Sequence, residues 1–144
     1  MNEIEKLKNG KLIYLSSRIC MTKDIGICMS MFGGELLSFL DQSAAIFAAE
    51  ICDTPHIVTR NMSNVDFITP VKVGNIIKIY GGIERIGNTS LVLNMEIRKH
   101  NVHTEGEVMV LKCDMTFVKI DEEGSPIPIS DRIKKKFEKN VVDN

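Results

Sequence analysis

The stretch "MFGGELLSFLDQSAAIFAAE", residues 31–50, limits the possible folds of this chain more than any other. From Glu35 to Glu50 it has no Gly, Pro or β-branched run, and its apolar residues cover most of a helical circumference. A helix that is apolar nearly all round has to be enclosed. At ~100° per residue, Glu35, Ser38 and Gln42 make its only polar stripe, whereas Asp41 falls among Leu37, Ala44, Ala45 and Ala48.

After "CDTPH" the pattern changes from helical period to strand period. Residues 57–67 read as a strand, followed by "NIIKIYGGIERI" and a turn at "GNTS". In "LVLNMEIRK", Leu91, Leu93, Met95 and Ile97 alternate with Asn94, Glu96 and Arg98. "VMVLKCDMTFVKI" places Met109, Leu111, Cys113, Met115 and Phe117 on a common face. With "KLIYLSSRICM" at the front, the reading is five strands and one long helix. A single sheet curled around the helix buries it at low topological cost, and the open edges of that sheet favour pairing with a second copy. The closing "DEEGSPIPISDRIKKKFEKN" predicts a turn and then a short lysine-rich helix capped by Ser130 or Asp131. We divide the chain at that point, into a domain over 1–130 and a basic helix or tail over 131–144.

Gly33 and Gly34 at the helix start cost roughly 1 kcal/mol each against alanine if they lie inside it. One account is a tight turn or close packing. The other is chemical: first-turn N–H groups have no intrahelical acceptor, lie at the positive end of the helix dipole, and can receive a carbonyl oxygen that gains charge under attack. Gly34 and Asp41 share a side of the helix but are separated along it by ~10 Å at ~1.5 Å per residue. One reacting carbon cannot touch both. If the two groups cooperate, the N–H belongs to one subunit and the carboxylate to another.

Composition narrows the function. Eighteen Lys and Arg against nineteen Asp and Glu give a net charge of −1, with no basic excess for nucleic acid or an anionic membrane. No run approaches the ~20 apolar residues of a membrane span, and the start of the chain has no signal-peptide pattern, so the expected location is the cytoplasm. Cys20, Cys28, Cys52 and Cys113 lack metal-ligand spacing and read as reduced core or near-core thiols, so neither a metal nor an organic cofactor is implied.

The segments "MFGGELLSFLDQSAAIFAAE", "VDFITPVKVGN", "GNTSLVLNMEI" and "FVKIDEEGSPIPI" together resemble the acyl-CoA thioesterases of the hotdog fold, over residues 10–130. The resemblance implies an α+β hotdog fold, with a five-stranded antiparallel sheet wrapped around one central helix. It also implies hydrolysis of acyl-CoA to a free acid and CoA, at a site shared across a homodimer that often assembles into hexamers. Asp41 matches the catalytic carboxylate, acting as general base or nucleophile, and Gly34 the N–H that polarises the thioester carbonyl, with Gly33 beside it. Phe67 and Pro70 match a segment along the pantetheine tunnel, and Thr89 and Ser90 a polar hairpin near CoA. The resemblance also exposes a departure. The family reads N-x-x-G-x-x-F-G-G before the helix, and this chain has Gly26 at the Asn place and Met29 at the Gly place. Asn61, Asn64 and Ser30 are the candidate replacements. Loss of such a donor typically costs ~2.7–4 kcal/mol of barrier.

Competing readings are weaker. A dehydratase on this fold needs a histidine with a partner carboxylate, whereas His56 follows "TP" and His100 and His103 fall in an expected hairpin loop. A cysteine nucleophile would need one of those histidines beside it. A transcriptional regulator needs an added DNA-binding module for which there is no basic patch. A non-catalytic acyl-CoA or acyl-carrier sensor, or a scaffold subunit, is the serious alternative. Arg60, Arg98, Lys99 and Lys112 are the candidate contacts for CoA phosphates.

Overall fold

In the computed structural model, which describes residues 6, 7 and 10–142, the apolar helix α1 runs from Gly33 to Cys52. Five strands surround it: β1 (Ile13–Ile19), β2 (Ile57–Phe67), β3 (Ile76–Ile86), β4 (Ser90–Asn101) and β5 (Gly106–Lys119). Their order across the sheet is β1-β3-β4-β5-β2, and every pairing is antiparallel. The expected architecture of one sheet around one helix is therefore the observed one. Among the described residues no helix is long and apolar enough to cross a membrane.

The strand alternation translates directly into burial. Leu91, Leu93, Met95 and Ile97 of β4 and Leu111, Cys113, Met115 and Phe117 of β5 are all buried against α1. The helix contributes Leu36, Leu40, Ala44, Phe47, Ala48 and Ile51 to the same core. A Cβ on Gly81 of β3 would meet the side chains of Phe47, Leu15 and Met95, each at 3.0 Å. Its absence lets the Phe47 ring lie close to the sheet. The polar stripe Glu35, Ser38 and Gln42 faces solvent, and Ile46 continues it as an exposed apolar residue. Asp53 ends the helix in a left-handed conformation with its N–H on the Ala49 carbonyl.

After β5 the chain turns, and helix α2 (Asp131–Lys136) lies against the same core through Ile129, Ile133 and Phe137. Ser130 is its N-cap by position, without a side-chain hydrogen bond to the helix. Residues 143 and 144 of the expected tail lie outside the described residues. His100 is a correction to the sequence reading. It lies in β4 opposite Ile76 rather than in the hairpin loop, because β4 runs on to Asn101.

β2 is an edge strand of eleven residues in which only Ile57 is buried. Two register shifts against β5 bend it, one between Thr59 and Asn61 and one between Ser63 and Asp66, where Asn64 adopts a positive φ of 53°. An edge this long, carrying the exposed apolar residues Val58, Val65 and Phe67, is not protected against pairing.

This packing predicts that Leu40→Ala costs about 2–5 kcal/mol of stability. Gln42→Ala, on the solvent stripe, changes stability by less than about 0.5 kcal/mol. Urea midpoints of the two variants check both.

Candidate active site

The approach to α1 is built on Asp24, a buried carboxylate that is only 2% exposed. Its Oδ2 accepts the Met21 N–H and an Arg18 guanidinium hydrogen, both at 2.8 Å, and its carbonyl oxygen accepts the Phe32 N–H at 3.0 Å. The Met21 N–H, followed by the hydrogen bond and charge of Arg18, holds the Asp24 carboxyl below the usual carboxylate range, against the opposing effect of burial. Arg18 also lies over the Phe39 ring, 5.5 Å from its centroid. One buried acid thus ties β1, the preceding turn and the helix entrance together.

Phe32 is the N-cap residue, with no side-chain oxygen to cap the first turn. The Glu35 and Leu36 N–H groups both turn back to its carbonyl. The N–H groups of Gly33 and Gly34 find no acceptor among the described residues. A Cβ on Gly33 would stand 3.1 Å from the Phe67 ring, whereas nothing lies within 4 Å of one on Gly34. The Cβ position of Gly34 is thus open, and two donors without an acceptor stand at a positive helix terminus.

Two turns further along, Asp41 is half-buried and its Oδ1 accepts the Thr59 hydroxyl of β2 at 2.7 Å. On the opposite flank Ser43 pairs with Ser16 of β1 at 2.9 Å, so the carboxylate faces the β2 side of the helix. The sequence analysis did not find Thr59. A threonine eighteen residues downstream on an alternating strand carries no linear signal, and only the curl of the sheet brings it to Asp41.

The other candidates fall into two groups. Phe67 faces Leu111 and Thr59 faces Phe117, six residues apart on β5, or ~20 Å at ~3.4 Å per residue. Pro70 and Val71 lie at the Phe67 end, where the Val71 carbonyl accepts the Met31 N–H. Ser90 pairs with Val118 and the Thr89 carbonyl accepts the Lys119 N–H, at the Thr59 end. Gly33, Gly34, Phe67 and Pro70 therefore stand at one end of β2, and Asp41, Thr59, Thr89 and Ser90 stand towards the other.

Two candidate donors are turned elsewhere. Asn61 lies opposite Thr116, on the sheet face away from α1, and Asn64 donates to Asp114, which also takes Asn94. Ser30 alone is near the helix start, where its hydroxyl accepts a hydrogen from Lys72 Nζ at 2.7 Å. Of the cations, Arg98 is committed to Glu96 and Glu107 over the Tyr80 ring, and Lys99 to the Pro70 carbonyl. Arg60 and Lys112 are exposed, and no ion pair among the described residues engages them.

All four thiols are free, but Cys28 is exposed, which corrects its expected place near the core. Burial pushes Cys52 and Cys113 up to about 11, so both are protonated and poor nucleophiles at neutral pH. Among the described residues no three His, Cys, Asp or Glu side chains gather to hold a metal ion.

A sequence profile of the thioesterase superfamily matches residues 30–106, from just before α1 to the start of β5. The chain belongs to the thioesterase superfamily. Within it, an uncharacterized acyl-CoA thioester hydrolase of Haemophilus influenzae is 32% identical over 123 residues, covering 81% of this chain and 79% of its own. The chain spans 58% of the length of a Bacillus subtilis relative that it matches at 29% identity, also named an acyl-CoA thioester hydrolase. The hexameric hotdog-fold thioesterase Cj0915 of Campylobacter jejuni superimposes with a TM-score of 0.77 at 30% identity, over 87% of this chain and 96% of that one. The acyl-CoA hydrolase of Staphylococcus aureus, solved with butyryl-CoA and CoA, gives 0.76 at 26% identity over 91% and 82%.

The fold of this superfamily member is accordingly the hotdog fold. The Staphylococcus aureus enzyme was studied as an asparagine-to-alanine and an aspartate-to-alanine variant, at positions fifteen apart. Gly26 and Asp41 are separated by the same fifteen positions here.

The Asp24 anchor generates a pH-dependent prediction. A lowered native pKa means a stabilising contribution that is full above the ordinary value of about 3.9 and is lost as the pH falls through the lower native value. Asp24→Asn should melt roughly 3–8 °C below wild type at neutral pH. The gap should hold down to about pH 5 and narrow below about 3.9. Thermal melts of both proteins from pH 7 to pH 2.5 check it.

Proposed function

We propose that the protein hydrolyses acyl-CoA thioesters to a free carboxylic acid and CoA, at a site that two copies complete. The observation that carries this reading is the division of the site along β2: free helix-start N–H groups at one end, a threonine-held carboxylate towards the other. Two β2 edges paired antiparallel about a two-fold axis set the Gly34 end of one copy against the Asp41 end of the other. The exposed length of β2 supports that pairing, and the axial offset of Gly34 and Asp41 requires it for one carbon to meet both.

In such a site the thioester oxygen lies against the Gly34 N–H, where the helix terminus stabilises the charge that develops on it. Asp41 of the second copy takes a proton from water as the water oxygen attacks the carbonyl carbon, or attacks that carbon itself to form an anhydride that water then opens. The C–S bond breaks, the sulfur leaves as the CoA thiolate and takes up a proton, and the acid is released. Thr59 keeps the Asp41 carboxylate at a fixed orientation. Phe67 and Pro70 flank the pantetheine arm, and Thr89 and Ser90 lie near the CoA end. The homodimer is the working unit, and a hexamer of three such pairs follows the neighbours described as hexameric. The cytoplasm is the proposed compartment, in keeping with cysteines that are all unpaired.

One observation favours a second reading, a non-catalytic acyl-CoA sensor: Gly26 offers no side-chain donor. Two variants separate the readings. Asp41→Asn should lower kcat by about a hundredfold or more while CoA-ester binding persists. Gly34→Ala should raise the melting temperature, because alanine is the better helix former by about 1 kcal/mol, and still lower kcat, because its Cβ adds bulk to open space at the helix start that the thioester must approach. Saturable binding of the CoA ester by wild type with no turnover would establish the sensor instead.

Sharing has its own signature. A heterodimer of Asp41→Asn with Gly34→Ala holds one doubly altered site and one intact site. Purified heterodimers of the two variants should recover about half the wild-type rate, since both lesions fall on the same site. No recovery in purified heterodimers would place both groups in one protomer.

A further inference from the structure

The two bulges of β2 are placed symmetrically along the strand. Directly opposite residues of an antiparallel pair share a face of the sheet. Thr59, Met62 and Phe67 lie opposite Phe117, Met115 and Leu111, which are buried against α1, so these three face the helix. Val58, Asn61, Ser63 and Asp66 lie opposite Val118, Thr116, Asp114 and Lys112 and face away from it. Simple alternation does not give this series. Two extra residues do, one at Arg60 and one between Ser63 and Asp66.

A two-fold axis perpendicular to the sheet keeps helix-facing residues on the helix side, so each residue of β2 must meet a residue of the same face on its copy. An axis through Met62 satisfies this along the strand. Buried Ile57 meets the partner's Phe67 and Met62 meets its own counterpart, all on the helix face. Val58 meets the partner's Asp66 and Asn61 the partner's Ser63, all on the other face. Moving the axis to Ser63 sets helix-facing Met62 against the partner's Asn64, whose amide Asp114 holds on the opposite face. Moving it to Asn61 sets helix-facing Thr59 against the partner's Ser63, with the same mismatch.

The axis through Met62 also sets bulge against bulge. Reflection about Met62 sends Arg60 to Asn64, so the extra residue of each copy meets the bulge of the other. A bulged edge ordinarily resists pairing, because a regular strand has nothing to set against the extra residue. A second copy carries the matching spacing. Charge agrees with this register. Arg60 and Asp66 are both exposed, and no ion pair among the described residues engages either, although Lys112 lies opposite Asp66. Across the axis Arg60 is the diagonal neighbour of the partner's Asp66, at a spacing of ~7–8 Å that a long side chain spans.

We propose that β2 pairs with its own copy in this one register, with Met62 on the two-fold axis and Arg60 of each copy ion-paired to Asp66 of the other. The inference rests on the shared-site reading and specifies how the two copies meet. Faces and charge select the register without reference to chemistry, yet it brings the two half-sites together. Thr59, which holds Asp41, becomes the diagonal neighbour of the partner's Phe67, the residue that lies against Gly33.

Oxidative cross-linking reads the register, in a Cys28→Ser background that removes the exposed thiol. Asn61→Cys/Ser63→Cys should give disulfide-linked dimers, whereas Asn61→Cys alone and Ser63→Cys alone should give few. These changes lie on the face away from the helix, and circular dichroism checks that each variant folds. Arg60→Asp should raise the dimer dissociation constant about tenfold or more in sedimentation equilibrium, because both symmetric contacts become repulsive, and high salt should remove most of that loss. Arg60→Asp/Asp66→Arg should return the constant to within about threefold of wild type.

Linked dimers from either single cysteine variant move the axis and overturn the inference, while the shared-site hydrolase stands. Charge reversal that neither weakens the dimer nor is repaired by the exchange overturns it in the same way. No linked dimer from any variant, in a protein that light scattering shows to be dimeric, assigns the interface to another surface and also overturns it. A dimer linked as expected but without turnover removes the hydrolase reading and keeps the register. A monomer with full turnover at assay concentration overturns both.

Discussion

A twenty-residue helix with a narrow polar stripe is the constraint from which the rest of this structure follows. Leu40, Ala44 and Ala48 are fully buried, and Leu36, Phe47 and Ile51 nearly so, on a helix too short of polar surface to lie on the outside of anything. Five antiparallel strands supply the cover because their inward residues alternate, and the long hairpins let the sheet curl. The small side chains at 44, 45, 48 and 49 let strands come close, and Gly81 lets Phe47 do the same from the other side. Enclosure leaves the two ends of the helix, its solvent stripe and its β2 flank as the accessible parts. The free N–H groups and Asp41 occupy an end and that flank.

The same sheet leaves β2 at an edge, with a row of backbone groups unmatched along eleven residues. That edge and the proposed chemistry are linked by geometry. Helical rise sets Gly34 and Asp41 too far apart to act on one carbon, while strand pairing across a two-fold exchanges the ends of β2. A surface that a monomer would have to protect thus becomes the element that completes the proposed site. The bulges at Arg60 and near Asn64 bend the strand, and Asn64 is held in its positive-φ state by Asp114.

Much of the fold was legible in the chain because two periodicities report it without ambiguity. The all-round apolar run gives the helix, and the alternation over 91–97 and 109–117 gives strands whose inward faces are those observed. His100 was misplaced because the end of a strand has no signature when the loop is equally polar. Of the candidate site, the helix-start glycines and Asp41 were readable from spacing along one element, where rise per residue is fixed. Thr59 and Asp24 were not. Their partners lie eighteen residues away and across a turn, and such meetings depend on how strands curl and where a carboxylate is buried. Asn61 and Asn64 misled for the complementary reason: two register shifts set which face of β2 each side chain takes, and no residue type announces a shift of this kind.

Gly26 shows how neighbouring groups occupy the space of a missing side chain. Treated alone, it is a lost donor in a site whose relatives include one studied through an asparagine variant at the same spacing from its aspartate. Treated with its neighbours, it is one member of a set: the ring of Phe32 occupies its space, the following residues are apolar and outward, and Lys72 and Ser30 hold in place a backbone strained by positive φ at Cys28 and Met29. Strain of this kind persists only where surrounding contacts over-determine it, and here every one of those contacts is polar and made to the backbone or to Ser30. The side chains of Ile27 and Met29 take no part in holding the turn.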